Sequence, residues 1–273
     1  MNLFNKGWTT AKWSLRAVAV LVIASAVGCG STSSDKRADR DPAKLYAEAK
    51  ADLNAGSYDL AIKALERLEG RTAGTLLAQQ VLLDLAWAQW KTNERVQSVS
   101  TLDRFIKLHP SSPALDYALY LKGLVNFNDD SGFLSGISRQ DVSERDQQAS
   151  RDAFQAFSQL VDQFPDSRYS PDARLRMDYI VNALADYEVH VARYYYRRAA
   201  YVAAANRAQL TLREYQRAPA TEEALFILVA SYDKLGMKEL RDDAERVMRR
   251  NFPNSRYFRT GVQVREQAWW QFW

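Results

Sequence analysis

Side chains able to do covalent or metal chemistry are few in this 273-residue chain, and they can be taken one at a time. The single cysteine, Cys29, cannot close an intramolecular disulfide, so any thiol chemistry belongs to that position alone. The two histidines, His109 and His190, lie too far apart in sequence to form a local metal-binding motif. Carboxylates are plentiful, but adjacent pairs such as Asp129-Asp130 and Glu222-Glu223 fall in loop or helix-start sequence, where solvation and the helix dipole account for them. The chain has no glycine-rich phosphate loop, no G-x-S-x-G elbow and no H-E-x-x-H pair. These patterns argue against an enzyme and predict no catalytic residue, no metal ligand and no bound cofactor.

Cys29 has a different chemistry in view. It follows a basic start (Lys6, Lys12, Arg16) and an uncharged run from Ala17 to Val27, about half the ~20 residues a membrane-spanning helix needs. Ala26-Val27-Gly28-Cys29 resembles the bacterial lipoprotein box, although leucine is usual where Ala26 stands. That resemblance implies a signal peptide over 1–28 and a Cys29 thiol that takes a covalent diacylglycerol, its freed amine then taking an N-acyl chain. Acyl chains in that number hold a protein stably on a bilayer. Gly30, in place of the aspartate associated with inner-membrane retention, directs the anchor to the outer membrane. Residues 29–41 then read as the lipidated cysteine and a polar, flexible tether, GSTSSDKRADRD from Gly30.

The elements that must present any binding surface are helical. Glycine (11) and proline (7) are scarce, which disfavours turn-dense β architectures. The formal charge of +4 comes largely from the leader, so no nucleic-acid partner is inferred. From Leu45, apolar positions recur at steps of three and four through Ala49 and Leu53, then through Ala61, Ile62, Leu65 and Leu68, with Ala-Gly-Ser at 55–57 as the turn. This is the tetratricopeptide (TPR) pattern of about 34 residues. The reading is an all-α, TPR-like α-solenoid of five helix-pair repeats. Units 1–2 span 42–112, and unit 3, with a loop insertion of polar sequence, spans 113–167. Unit 4, with a lengthened first helix, spans 168–220, and unit 5 with an aromatic tail spans 221–273. Asn93 and Arg95 stand where glycine and tyrosine are usual, and two hexads, FPDSRY from Phe164 and FPNSRY from Phe252, mark helix ends with Asp/Asn or Ser as caps for the next helix.

The strings HPSSPALDYALYLKGL from His109, FPDSRYSPDARLRM from Phe164 and VARYYYRRAAYVAAANR from Val191 closely resemble the BamD (ComL) lipoprotein family. The resemblance implies a non-enzymatic scaffold of the β-barrel assembly machinery on the periplasmic face of the outer membrane. Its implied partners are the periplasmic domain of BamA, other BAM lipoproteins, unfolded outer-membrane protein segments and membrane lipid through the anchor. Another periplasmic TPR lipoprotein, organising the envelope or binding peptidoglycan, is the alternative. In TPR proteins the first helices line the concave face, which places Tyr46, Lys50, Leu83, Trp87, Trp90, Tyr117 and Leu121 along a groove for substrate peptides, with Leu83 and Leu121 equally able to pack between units. The resemblance also makes Arg207, with Arg197 and Arg198, the expected contact with BamA. The aromatics Trp269, Trp270, Phe272 and Trp273 are expected to cover the last helix, or else to occupy the empty groove.

Overall fold

The computed structural model describes residues 41–127 and 147–262; the signal peptide, Cys29, the tether before Asp41, most of the unit 3 insertion and the aromatic tail lie outside the described residues. The described residues form eleven helices and no strand. Five hairpins follow one another: α1 (Pro42–Asn54) with α2 (Tyr58–Thr72), α3 (Leu76–Lys91) with α4 (Arg95–Leu108), α5 (Leu115–Asn126) with α6 (Gln147–Gln163), α7 (Ser170–Arg197) with α8 (Tyr201–Glu214), and α9 (Thr221–Lys234) with α10 (Lys238–Asn251). A short α11 (Tyr257–Thr260) closes the described chain.

The turns explain how a loose consensus gives a regular hairpin. Gly56, Asn93, Ala199 and Gly236 all take the left-handed conformation, at φ of 76°, 65°, 58° and 72°. After each, the next N–H returns to a carbonyl five residues back: Ser57 to Asp52, Glu94 to Gln89, Ala200 to Tyr195 and Met237 to Tyr232. This is the Schellman stop, which satisfies the last carbonyls of the first helix. Asn93 therefore does glycine's work in unit 2, as its short amide side chain permits. Arg95 has another role: its guanidinium donates to the carbonyls of Val125 (2.9 Å) and Asn126 (3.2 Å) at the end of α5. Arg95 thereby supplies donors to the last carbonyls of α5.

In both hexads the serine accepts a backbone N–H two residues on, within the turn, and the helix that follows has no side-chain cap. Ser167 Oγ takes the Tyr169 N–H and Ser255 Oγ that of Tyr257, each at 3.3 Å. At the start of the solenoid, Pro42 sits in the first turn and the Asp41 carboxylate accepts from the Ala43 N–H.

Three apolar cores run along the stack. The first joins Ala49, Leu53, Ala61, Ile62, Leu65 and Leu68 to Val81, Leu85 and Ala88 of α3. The second begins on the other edge of α3 at Leu82 and Ala86 and continues through Phe105, Leu119 and Phe157 to Ala173, Ile180 and Leu184 of α7. The third takes up α7 at Ala185, Val189 and Ala192 and runs to Met248 and Tyr257. Trp87 packs against the first two. Each buried leucine or phenylalanine contributes about 1.5–3 kcal/mol, and the cores draw those side chains from neighbouring units. Of the two positions left open for Leu121, groove or packing, the structure shows packing: it is buried in the second core, on the inward stripe of α5 with Ala118 and Val125.

Candidate functional site

The first helices of units 1 and 2 meet through one carboxylate. Asp84 of α3 accepts from the Tyr46 hydroxyl at 2.7 Å and from Lys50 Nζ at 2.8 and 2.9 Å. Burial, followed by the hydrogen bond and charge of Asp84, pushes the Tyr46 phenol far above its usual range, so it stays a neutral donor. Tyr117 of α5 faces the same carboxylate: burial first, then the neighbouring Tyr169 and Asp84, raise its phenol, with Arg168 opposing. Tyr46 and Lys50 thus meet at Asp84, and Tyr117 lies near enough to feel its charge.

The tryptophans stand beside that cluster. Trp87, one turn beyond Asp84 on α3, meets Tyr58 edge-on at 5.3 Å, and Lys91 Nζ lies 5.8 Å from its ring and 5.5 Å from that of Trp90. Both rings are half-buried, so each gives part of its area to packing and part to solvent. Leu83 likewise packs against the second core.

Next along the surface is an aromatic stack. Tyr169, from the first hexad, lies on Tyr120 with centroids 4.7 Å apart and planes 19° apart, and leans on Tyr117 at 5.6 Å. The Arg168 guanidinium covers the Tyr169 ring at 4.7 Å. Tyr120 donates to Asp172 at 2.7 Å, and Arg176 donates to the same oxygen at 2.6 Å. Burial raises the Asp172 carboxyl, but these two donors outweigh it and its pKa falls below the ordinary value.

The carboxy-terminal arginines divide into two kinds. Arg197 and Arg198 are exposed at the α7–α8 turn, with Arg198 over the Tyr194 ring at 5.5 Å. Arg207 is engaged within the chain: its guanidinium donates at 2.9 Å to Glu188, a carboxylate with only 2% of its side chain exposed. That bond raises the Arg207 pKa further above its ordinary value. His109 ends α4 against Phe105 (5.4 Å) and His190 lies on α7, positions that suit packing.

Sequence reasoning missed Asp84, the Tyr120–Tyr169–Arg168 stack with Asp172, and the clamp in which Glu223 takes both nitrogens of Arg193 (2.7 and 2.8 Å) and the Tyr257 hydroxyl (2.8 Å). A signal for Asp84 existed: it lies 34 residues from Lys50, one repeat length, where opposite charges on successive first helices meet. Among the described residues no group of three or more His, Cys, Asp or Glu is arranged to hold a metal, and no helix is long and apolar enough to cross a membrane. What the surface offers is half-exposed aromatic area beside charged groups, suited to holding a peptide.

Residues 38–248 match the outer membrane lipoprotein family YfiO. An outer membrane protein assembly factor BamD from Neisseria meningitidis serogroup A is 43% identical over 255 residues, covering 93% of this chain and 96% of that one. The BamD of Haemophilus influenzae is 37% identical over 238 residues (87% and 89% covered), and that of Vibrio cholerae 33% over 232 (85% and 96%). Among solved structures, TPR-like repeats from Podosopora anserina align at 12% identity over 78% of this chain and 96% of that one, with a TM-score of 0.33; the fold assignment rests on the helices themselves. On the family match and these near full-length relatives, the chain belongs to the BamD family of outer membrane protein assembly factors, the YfiO lipoproteins.

Proposed function

We propose that this chain is a non-enzymatic scaffold of the β-barrel assembly machinery, held on the periplasmic face of the outer membrane by diacylglycerol and N-acyl chains on Cys29. It binds the periplasmic domain of BamA and unfolded outer-membrane protein segments, alongside other BAM lipoproteins. The observation that carries this reading is the 43% identity to a named assembly factor across nearly the whole of both chains. The geometry supports it: stacked hairpins present a continuous first-helix face on which Tyr46, Lys50, Trp87, Trp90 and Tyr117 sit beside Asp84. An extended or helical segment laid across that face meets flat rings of low conformational entropy and charged groups at its edges.

BamA docks at the carboxy-terminal units. Arg197 and Arg198 are its exposed bidentate donors, and Arg207 borders them while holding Glu188. The decisive experiment is purification of the full lipoprotein from native membranes in mild detergent. Stoichiometric BamA is the expected companion, and its absence from a folded, lipidated preparation would move the reading to an envelope organiser. Arg197→Glu with Arg198→Glu should then break co-purification. Arg207→Glu is a poor test, since it sets a second carboxylate against buried Glu188 and destabilises the packing of α7 on α8.

A further inference from the structure

Helix α10 carries an apolar edge that no described element covers. Ala244 and Met248 are buried in the third core, but Leu240 and Val247 are each 48% exposed and Met237, just before the helix, 44%. Positions 237, 240, 244 and 247 advance by three and four, so they make one stripe along the helix. This is not the flank that the other second helices turn toward the following unit. At matching distances from the left-handed turn residue, α2 has Ile62 and Leu65, α4 has Val99 and Leu102, and α8 has Ala205 and Ala208, whereas α10 has Asp242 and Glu245. Those acids pair with Arg241 (2.7 Å) and Arg249 (2.5 Å). The end of the solenoid is therefore finished by charge, as terminal repeats require, and the apolar stripe lies elsewhere on the helix. At its amino-terminal end it opens on a shallow concavity of about 460 Å³ lined by Gly236, Met237, Lys238, Glu239 and Leu240.

We propose that residues 269–273 of the same chain dock along Met237, Leu240 and Val247, with an indole seated in that concavity. The described chain ends at Val262, which packs on the third core, and α11 holds this end beside the last turn of α10, with Phe258 lying 4.8 Å from the Arg249 guanidinium. From Val247 back to Met237 the stripe runs about 15 Å. The steps from 262 to 269 cover about 10 Å if helical and at most about 25 Å if extended. In either form, a tail that turns back antiparallel to α10 brings Trp269, Trp270, Phe272 and Trp273 onto the stripe. That segment contains no ionisable side chain, and its rings lose a large apolar area from water on docking. The proposal does not depend on the assembly role.

The test is photocrosslinking of the full lipoprotein in membranes, with benzoylphenylalanine in place of Leu240 and light- and heavy-isotope protein mixed. The expected product joins position 240 to the peptide bearing 269–273 within one chain. A light–heavy product would identify a second copy as the occupant, and a product with another protein only would identify a partner; either overturns the proposal, as does capture of the tail by a crosslinker at Tyr117. A second measurement uses Leu240→Glu with Val247→Glu, which leaves Ala244 and Met248 in place. Helicity should be kept while tryptophan emission shifts to the red and deuterium uptake by α10 rises; unchanged emission with helicity kept overturns the proposal.

Discussion

The two Phe-Pro-x-Ser-Arg-Tyr turns build the same stack and put it to opposite ends. In each, the tyrosine lies on the sixth residue of the preceding first helix: Tyr169 on Tyr120 at 4.7 Å, Tyr257 on Phe226 at 5.6 Å. In each, the arginine covers that tyrosine, at 4.7 and 4.9 Å. The difference is at the third residue of the first helix. In α9 it is Glu223, which takes the Tyr257 hydroxyl and Arg193, and Tyr257 is buried. In α5 it is Tyr117, and the position matching Arg193, six residues before the left-handed turn, holds Trp87. An ionic clamp between first helices at the carboxy-terminal end is thus an aromatic pair of positions at the amino-terminal end. The first closes a stack, and the second leaves one half-open.

Several substitutions would break or sharpen this contrast. The largest effect is expected under the open stack, at Gly123, where a methyl group would lie 2.3 Å from the Phe157 ring on which Tyr120 also rests. Gly123→Ala should cost about 3 kcal/mol, read as a lowered denaturation midpoint; the matching residue in α9 is already Val229. Next, Glu223→Ala strips Arg193 and Tyr257 of their acceptor and should cost about 2 kcal/mol in urea unfolding. Transplanting the clamp with Trp87→Arg and Tyr117→Glu tests the contrast directly: crosslinking to an unfolded barrel peptide should fall with the fold kept, and undiminished capture would remove the aromatic positions from the binding reading.

Smaller effects lie in the turns. Ala199 holds a left-handed conformation that glycine holds in units 1 and 5, so Ala199→Gly should raise stability by about 0.5–1 kcal/mol in thermal unfolding. Smallest is the acid behaviour of Asp172. Its folded pKa lies below the ordinary value, so its contribution is full above the ordinary value and is lost as pH falls from there through the lower folded pKa. Asp172→Asn should flatten that acid limb of a stability–pH curve slightly, because the carboxylate is 44% exposed and screened.

The hairpins were legible in the sequence because their periodicity and their turns are local. So was the long first helix of unit 4, which follows from the wide spacing between Pro171 and Pro219. Tyr46, Lys50 and Tyr117 were legible as surface residues for the same reason, since helical phase fixes the face. Leu121 was left open between groove and core because in α5 one residue of phase separates the buried stripe from the exposed face. The pairing of Arg207 with Glu188 could not be read at all: it joins residues on two helices whose relative rotation is set by packing. Asp84, Tyr120 and Glu223 act through partners 30 to 52 residues away, and only the stacking of units brings such pairs together.

Helix α7 runs unbroken for 28 residues, about 42 Å, with its first half in the second core and its second half in the third. Its two ends cannot shift independently without breaking backbone hydrogen bonds. Tilting such a rod by about 5° around its middle moves each end by about 2 Å in opposite directions. A load applied at Arg197 would thereby be delivered, with leverage and reversed sense, to Asp172 and the tyrosine stack at the far end.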